Sequence, residues 1–263
     1  MIIKPKKSLG QNFLIDKNII KKISNLINLQ NKVVLEIGPG TGNLSSSILE
    51  NKPKKFFAIE KDKKLFLHLK KQFNHQITII NQDILKFDEN SLSKDKLIVF
   101  GNLPYNISTE ILSKWILDLK DDHFWFDMLI LMFQKEVANR IIAKHNSSAY
   151  GRLSVLANWK LQIKKIFDIS PSCFFPKPKV ESSLLVFKPK KIFYKLKNPK
   201  NLEKITRIFF NHRRKMIKKP YNQLFLGNNE ILSKLNIDLN LRPQNLNFET
   251  YYKLTDEYEK LRS

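Results

Sequence analysis

The chain of 263 residues is longer than one average domain and shorter than two large ones, and 42% hydrophobic residues suffice for a sizeable core. Its 47 Lys+Arg against 24 Asp+Glu leave a formal charge of +23, more than solubility requires, so a polyanionic partner is expected, nucleic acid or an acidic membrane surface. One cysteine, Cys173, excludes a disulfide framework and a cysteine-based zinc site, and the five histidines lack metal-ligand spacing, so no metal is expected.

The amino terminus lacks the long apolar core of a secretory signal. The longest apolar run, Phe124 to Phe133, is interrupted by Asp127 and is about half a bilayer crossing. A soluble, cytoplasmic chain with no membrane partner is therefore expected. Lys4-Pro5-Lys6-Lys7 reads equally as a solvated tail or as a basic arm that orders on RNA.

Val33-Val34-Leu35-Glu36-Ile37 reads as a buried parallel strand. Gly38-Pro39-Gly40-Thr41-Gly42 comes next, holding three of the chain's seven glycines, where average usage would give about eighteen in all. Asn43 to Leu49 can open a helix. Strand, glycine turn and helix together favour a loop whose backbone approaches a ligand. The third glycine comes one position early for the dinucleotide fingerprint, and Asn43 stands where it should be. No phosphate-loop motif is present.

Three further strands end at Glu60, Asp83 and Gly101-Asn102, so that Gly38, Glu60, Asp83 and Asn102 are spaced 22, 23 and 19 residues apart. Such intervals fit successive βα units, with Lys63–Phe73 as one intervening helix, and predict an α/β fold with these residues along one rim of a parallel sheet. An acid about 20 residues after the glycine loop can accept both hydroxyls of a ribose. A second acid one strand later can accept from an adenine amine.

Asn102-Leu103-Pro104-Tyr105 suits chemistry on an exocyclic aromatic amine, whose lone pair is delocalised into the ring. An Asn oxygen and a backbone carbonyl can accept its two N–H groups and stabilise the charge that develops on nitrogen. Pro104 stiffens the turn, and Tyr105 offers a face for stacking. Spacing alone leaves open an ordinary strand-ending turn.

Leu184 to Phe187 reads as a last strand, and Lys188 to Asn201 as a Lys/Pro/Asn-rich linker. Ile205, Ile208, Phe209 and Met216 then fall near one helical face, and Pro220 is expected to stop that helix. Arg207, Arg213, Arg214, Lys215 and Lys218 occupy much of the remainder with almost no acid nearby, which favours phosphate binding over a merely solvated face. Leu232, Leu235 and Leu246 are core candidates in a helical tail, and Trp115, Trp125 and Trp159 are read as core. The expected domains are 1–188 and a small helical domain at 202–263.

Gln11-Asn12-Phe13-Leu14, Glu36-Ile37-Gly38-Pro39-Gly40, Asn102-Leu103-Pro104-Tyr105-Asn106-Ile107-Ser108 and Gln134-Lys135-Glu136 resemble motifs of the KsgA-type small-subunit ribosomal RNA adenine dimethyltransferases. So do Tyr150-Gly151-Arg152-Leu153-Ser154, Phe174-Phe175-Pro176-Lys177-Pro178-Lys179-Val180-Glu181-Ser182, and the tail segments Phe210 to Lys215 and Arg242-Pro243. The resemblance implies a Rossmann-like S-adenosylmethionine-dependent methyltransferase sheet with a small all-α C-terminal domain. It also implies S-adenosylmethionine as donor, and dimethylation of two adjacent adenosines in a hairpin near the 3′ end of small-subunit (16S) RNA, on the RNA or its precursor particle, by a monomer.

By the same resemblance Asn12, Leu14, Gly38, Gly40, Glu60, Asp83 and Asn102 would hold the cofactor. Asn102, Leu103 and Pro104 would form the reaction centre, with Tyr105 and Phe174 sandwiching the target adenine. The alternatives are a large-subunit RNA adenine methyltransferase of the antibiotic-resistance type and a ribosome-assembly factor with an inactive pocket. The Tyr150 to Ser154 block and the Arg-Arg-Lys tail favour the small-subunit enzyme, and the complete pocket motifs argue against inactivity. The tail departs from the family in reading Arg-Pro-Gln-Asn-Leu where an acid is usual, and in carrying lysine at several basic positions.

Overall fold

A computed structural model describes residues 5–6, 9–120 and 123–262. Lys4 and Lys7 of the basic amino-terminal segment lie outside the described residues. The elements run β1 (Phe13–Leu14), α1 (Lys17–Ser24), β2 (Val33–Ile37), α2 (Asn43–Glu50), β3 (Lys55–Ile59), α3 (Lys63–Phe73), β4 (Thr78–Ile80) and β5 (Leu97–Asn102). There follow α4 (Ser108–Asp118), β6 (Phe126–Gln134), α5 (Lys135–Ile142), α6 (Arg152–Lys160), β7 (Leu161–Ile169), β8 (Phe174–Phe175) and β9 (Ser182–Pro189). The tail supplies α7 (Pro199–Asn211), α8 (Lys218–Phe225), α9 (Asn229–Leu235) and α10 (Phe248–Lys260).

Seven strands form one sheet in the order β4-β3-β2-β5-β6-β9-β7. Strands β4, β3, β2, β5 and β6 are parallel, and β9 joins β6 antiparallel. All five residues of β2 are buried, as expected where both faces of a parallel sheet are covered. Strand order reverses beside β2, and the crevice past the carboxyl ends of β2 and β5 is where such sheets take ligands. Val34, Ile98, Phe100 and Ile130 of the sheet share one core with Leu44, Ile48, Leu69 and Phe73 of α2 and α3. Asp16 and Asp62 cap α1 and α3 by accepting backbone N–H groups of the first turn, which fixes where each helix begins.

The chain divides into two compact units. The first takes the described residues up to 112, with 123–138 and 164–189. The second takes those of 113–120, 139–163 and 190–262, so it draws on the middle of the chain as well as its tail. Within this second unit, α10 packs on α7 and α6. Phe210 stacks on the buried Tyr251 at 5.4 Å. The Glu259 carboxylate accepts the N–H groups of Lys197 and Asn198 at 2.8 and 2.9 Å, fixing the start of α7.

Three expectations for the tail need correction. Helix α7 ends at Asn211, and Pro220 lies in the first turn of α8 instead of ending a helix. First-turn N–H groups have no intrahelical partner, so proline fits there. Met216 falls between the two helices and is 56% exposed, whereas Ile205 and Phe209 are buried. Leu246 is buried, but Leu232 and Leu235 are only half-buried, and Ile231, Ile237, Tyr251 and Leu254 supply the core instead. The stretch after Lys188 is packed down: Trp159 donates its indole N–H to the Tyr194 carbonyl, and Lys190 donates its backbone N–H to Lys160. Trp115, Trp125 and Trp159 are all buried.

Candidate active site

A cavity lies beyond the carboxyl ends of the first four parallel strands, and Gly38, Glu60, Asp83 and Asn102 all line it. The rim read from spacing is therefore one physical surface. Asn12, Leu14, Gly40, Leu103, Pro104 and Tyr105 also contribute to its wall.

Backbone conformation explains the glycines. Gly38, Gly40 and Gly42 have φ of +64°, +62° and +81°, where a side chain is strained. At Gly38 an added Cβ would meet only the Asn102 carbonyl oxygen within 4 Å, at 3.9 Å, so the loop backbone faces open space. At Gly40 it would lie 2.7 Å from the Phe13 ring. Gly40→Ala combines a disfavoured φ with that clash, each worth about 1 kcal/mol or more. We expect at least tenfold weaker binding of S-adenosylhomocysteine in calorimetry with circular dichroism unchanged. Undiminished affinity would mean that Phe13 yields freely and the loop is not closely fitted.

Strand β1 is fastened over this loop. Asn43, the residue in place of the fingerprint's last glycine, donates its amide to the Leu14 carbonyl at 2.8 Å. Asn102 donates its amide Nδ2 to the Asn12 carbonyl at 2.7 Å. A carbonyl can only accept, so this bond fixes the orientation of the Asn102 amide and leaves Oδ1 as an acceptor.

Glu60 is buried, and its two carboxylate oxygens accept N–H groups of Asp62 at 2.8 Å and Gly40 at 3.3 Å. Each oxygen keeps a further lone-pair site, so the pair can take two more donors. Burial pushes this carboxyl up to about 7 despite those bonds. Asp83 caps a short 3₁₀ turn through the Leu85 N–H and pairs with Lys61 at 2.7 Å, which holds its carboxyl below the usual range. Being a cap does not exhaust its acceptors.

Tyr105 is half-buried, and its hydroxyl shares a 2.6 Å hydrogen bond with that of Ser182, a fully buried residue at the start of β9. The ring is thereby held by a strand that sequence spacing does not connect with it. Phe174 is not brought to the cavity wall: it is 2% exposed and packs in the sheet core with Leu14 and Ile169.

Two groups of residues escaped the sequence reading. Glu36 is buried in β2, lines the cavity, accepts from Ser45 Oγ at 2.5 Å, and is pushed up to about 8, first by burial and then by the Glu60 charge. A carboxylate within an apolar strand run was the available signal. Lys6, Gln11 and Asp62 form the other group, with Lys6 paired to the buried Asp62 at 2.8 Å and Gln11 bonded to it at 3.4 Å. No local pattern reports a contact across 51 residues.

The basic candidates divide. Arg207, Arg214, Lys215 and Lys218 are exposed. Arg213 is half-buried and donates to the Ser147 carbonyl at 3.1 Å, which ties it to the fold of the second unit.

A doubly covered parallel sheet with a glycine loop at its switch point and acids on the next two strands, continued by an antiparallel strand, defines a Rossmann-like S-adenosylmethionine-dependent methyltransferase. Residues 2–260 match the ribosomal RNA adenine dimethylase family, and the chain belongs to that family. It is 62% identical, over the whole of both chains, to the ribosomal RNA small subunit methyltransferase A of Pelagibacter ubique (strain HTCC1062). It is 42% identical to the protein of that name from Wolbachia sp. subsp. Drosophila simulans (strain wRi), over 99% of this chain and 96% of the relative. Among solved structures, a dimethyladenosine transferase from Plasmodium falciparum superposes with a TM-score of 0.79 at 26% identity, covering 94% of this chain and 98% of the other.

Proposed function

We propose that this chain dimethylates N6 of two adjacent adenosines in a hairpin near the 3′ end of small-subunit ribosomal RNA. The observation that carries the chemistry is the Asn102 amide, fixed by the Asn12 carbonyl so that Oδ1 is available as an acceptor at the cavity. Full-length identity of 62% to a small subunit methyltransferase A supports the choice of RNA. A solved 23S rRNA methyltransferase, ErmE, at 20% identity and TM-score 0.66, shares the fold, and nothing in this chain favours its substrate.

S-adenosylmethionine supplies the electrophilic methyl group when bound. Gly38 would give it a bare backbone to lie against, Gly40 leaves room for the Phe13 ring beside it, Glu60 would offer two acceptors to its ribose hydroxyls, and Asp83 one to its adenine amine. Asn12 and Leu14, on the fastened amino-terminal segment, close the other side. The Asn102 Oδ1 and a backbone carbonyl of the Leu103-Pro104 turn accept the two N–H groups of the target adenine. Its lone pair is thus directed along the line of attack, and the developing positive charge is stabilised. Tyr105, its hydroxyl held by Ser182, stacks on the extruded base. Extrusion costs less from a hairpin loop than from a duplex, which fits the proposed substrate.

Mass spectrometry of ribosomal RNA from cells with and without the protein tests this reading. Loss of N6,N6-dimethyladenosine from the small-subunit RNA is expected. Loss from large-subunit RNA alone would move the assignment to the other class of target, and no change in either would leave the assembly-factor reading.

Arg207, Arg214, Lys215 and Lys218 are proposed phosphate contacts, with Arg213 set apart because its substitution would also release Ser147. Charge reversal at Arg214 and Lys218 should flatten the slope of log K for RNA against log salt by about 0.7 to 0.9 per lost contact, as fewer counterions are released. An unaltered slope would make that surface ordinary.

A further inference from the structure

Strands β1 and β8 form a two-stranded antiparallel ribbon in which Phe13 is opposite Phe175 and Leu14 opposite Phe174. Opposed residues share a face and successive residues alternate. Leu14 and Phe174 accordingly point together into the sheet core. Phe13 and Phe175 share the other face. There the Phe13 ring lies against the glycine loop, as the 2.7 Å approach to a Cβ at Gly40 shows. Phe13 is buried by that contact, whereas Phe175 is 57% exposed. A large aromatic ring is thus left uncovered on the face that bears on the cavity wall.

Positive charge adjoins this ring. Pro176-Lys177-Pro178-Lys179 presents two exposed lysines on a stretch that two prolines stiffen. Glu181 at its far end is engaged by Lys135 at 2.6 Å. Ser182 comes next and holds the Tyr105 hydroxyl. The segment is therefore anchored at one end to β1 over the glycine loop and at the other to Tyr105, both on the wall of one cavity.

We propose that the exposed Phe175 ring is a stacking platform for an unpaired RNA base next to the target adenosine, with Lys177 and Lys179 on the adjoining phosphates. An aromatic face flanked by cations is the pairing that binds single-stranded nucleic acid, and the net charge of +23 suits a polyanion better than an apolar protein surface. The platform rests on the RNA-methyltransferase reading. It is distinct from the implied role of Phe174, because alternation along β8 turns the two rings to opposite faces.

The test uses the full-length protein and a hairpin oligonucleotide of the small-subunit 3′ region, with 2-aminopurine beside the target adenosines. Wild type should bind it with quenching of the probe and should dimethylate the small-subunit RNA in its precursor particle, and failure of both sinks the functional reading itself. Phe175→Ala should bind the hairpin about tenfold more weakly and abolish the added quenching, while Phe175→Tyr restores both. Melting temperature and S-adenosylhomocysteine affinity should stay at wild-type values in both variants. Lys177→Ala with Lys179→Ala should lower the salt slope by about 1.4, the single-strand value for two phosphates.

Hairpin binding by Phe175→Ala within twofold of wild type overturns the platform. So does rescue by Phe175→Leu equal to that by tyrosine, or an equal loss of cofactor affinity, which would make the ring structural. Self-association of wild type that Phe175→Ala abolishes would assign the ring to a second copy of the chain and likewise overturn the proposal.

Discussion

Asn102→Ala is expected to lower kcat by about 10²- to 10³-fold, the usual cost of removing one preorganised hydrogen-bonding group aimed at transition-state charge. RNA affinity should change less than twofold, because the group acts on the reacting amine and not on the phosphates. The variant also frees the Asn12 carbonyl, which Asn102 engages at 2.7 Å, so S-adenosylhomocysteine should bind a few-fold more weakly. Asn102→Asp separates the two effects. It keeps an acceptor at Oδ1 but sets a carboxylate oxygen against the Asn12 carbonyl in place of the amide donor. Its turnover should therefore fall between alanine and wild type, with a cofactor defect at least as large as that of alanine, because the carboxylate repels the Asn12 carbonyl that alanine merely frees. Equal loss of turnover and RNA affinity in either variant would make Asn102 a structural residue. A raised KM with kcat intact would mean that its contact is made equally in the ground state.

How far such residues could be read before the fold was known depends on the kind of signal they leave. The rim was legible because a doubly buried parallel strand is written as a near-continuous apolar run, as in β2 and β5, and the residues just past such a run stand at the ligand side of the sheet. Three of seven glycines in five residues marked a loop whose backbone takes positive φ at alternate positions. Glu36 was lost inside the same run, because an apolar pattern reports the strand and not its exceptions.

The orientation of Phe174 and Phe175 was out of reach for a different reason. A strand of two residues carries no periodicity, and its facing is decided by pairing with Phe13 and Leu14, some 160 residues away in sequence. Pro220 illustrates a third limit. The same residue can end one helix or open another, and here the buried Ile217 and Tyr221, which fix the start of α8, decide it. Arg213 is a fourth case, since a charge run looks solvated until a carbonyl such as that of Ser147 claims one member.

Cofactor affinity should fall as pH drops from 8 to 6, and the cause is Glu60. Burial lifts its carboxyl from an ordinary 4.5 to about 7, against the opposing N–H bonds from Asp62 and Gly40. Two ribose hydroxyls donating to it favour the ionised form, so binding must first remove the proton wherever the free protein holds one. That requirement costs about 1.4 kcal/mol for each pH unit below the free-state value, hence roughly a tenfold rise in Kd for S-adenosylhomocysteine at pH 6 relative to pH 8. Asp62 adds to the upward shift of Glu60, its own charge being met by Lys6, whereas Glu36, lifted to about 8 by burial and by the Glu60 charge, stays largely protonated over this interval and leaves the Glu60 titration to dominate.

For the unliganded fold the linkage runs the other way. Folded-state values raised above those of the unfolded chain give Glu36 and Glu60 a stabilising contribution that is complete below about 4.5 and lost as pH rises through about 7 and 8. The contribution of these two groups to the apo Tm should therefore decline from pH 6 to pH 8, over the interval in which the Tm increment from cofactor grows. Glu60→Gln should remove most of the pH dependence of binding and leave affinity at pH 8 at least tenfold below wild type, while Glu36→Gln, which keeps Glu60, should retain the dependence. A Kd that is level from pH 6 to pH 8 in the wild-type protein would mean that the ribose is held by other groups and that Glu60 serves the loop alone.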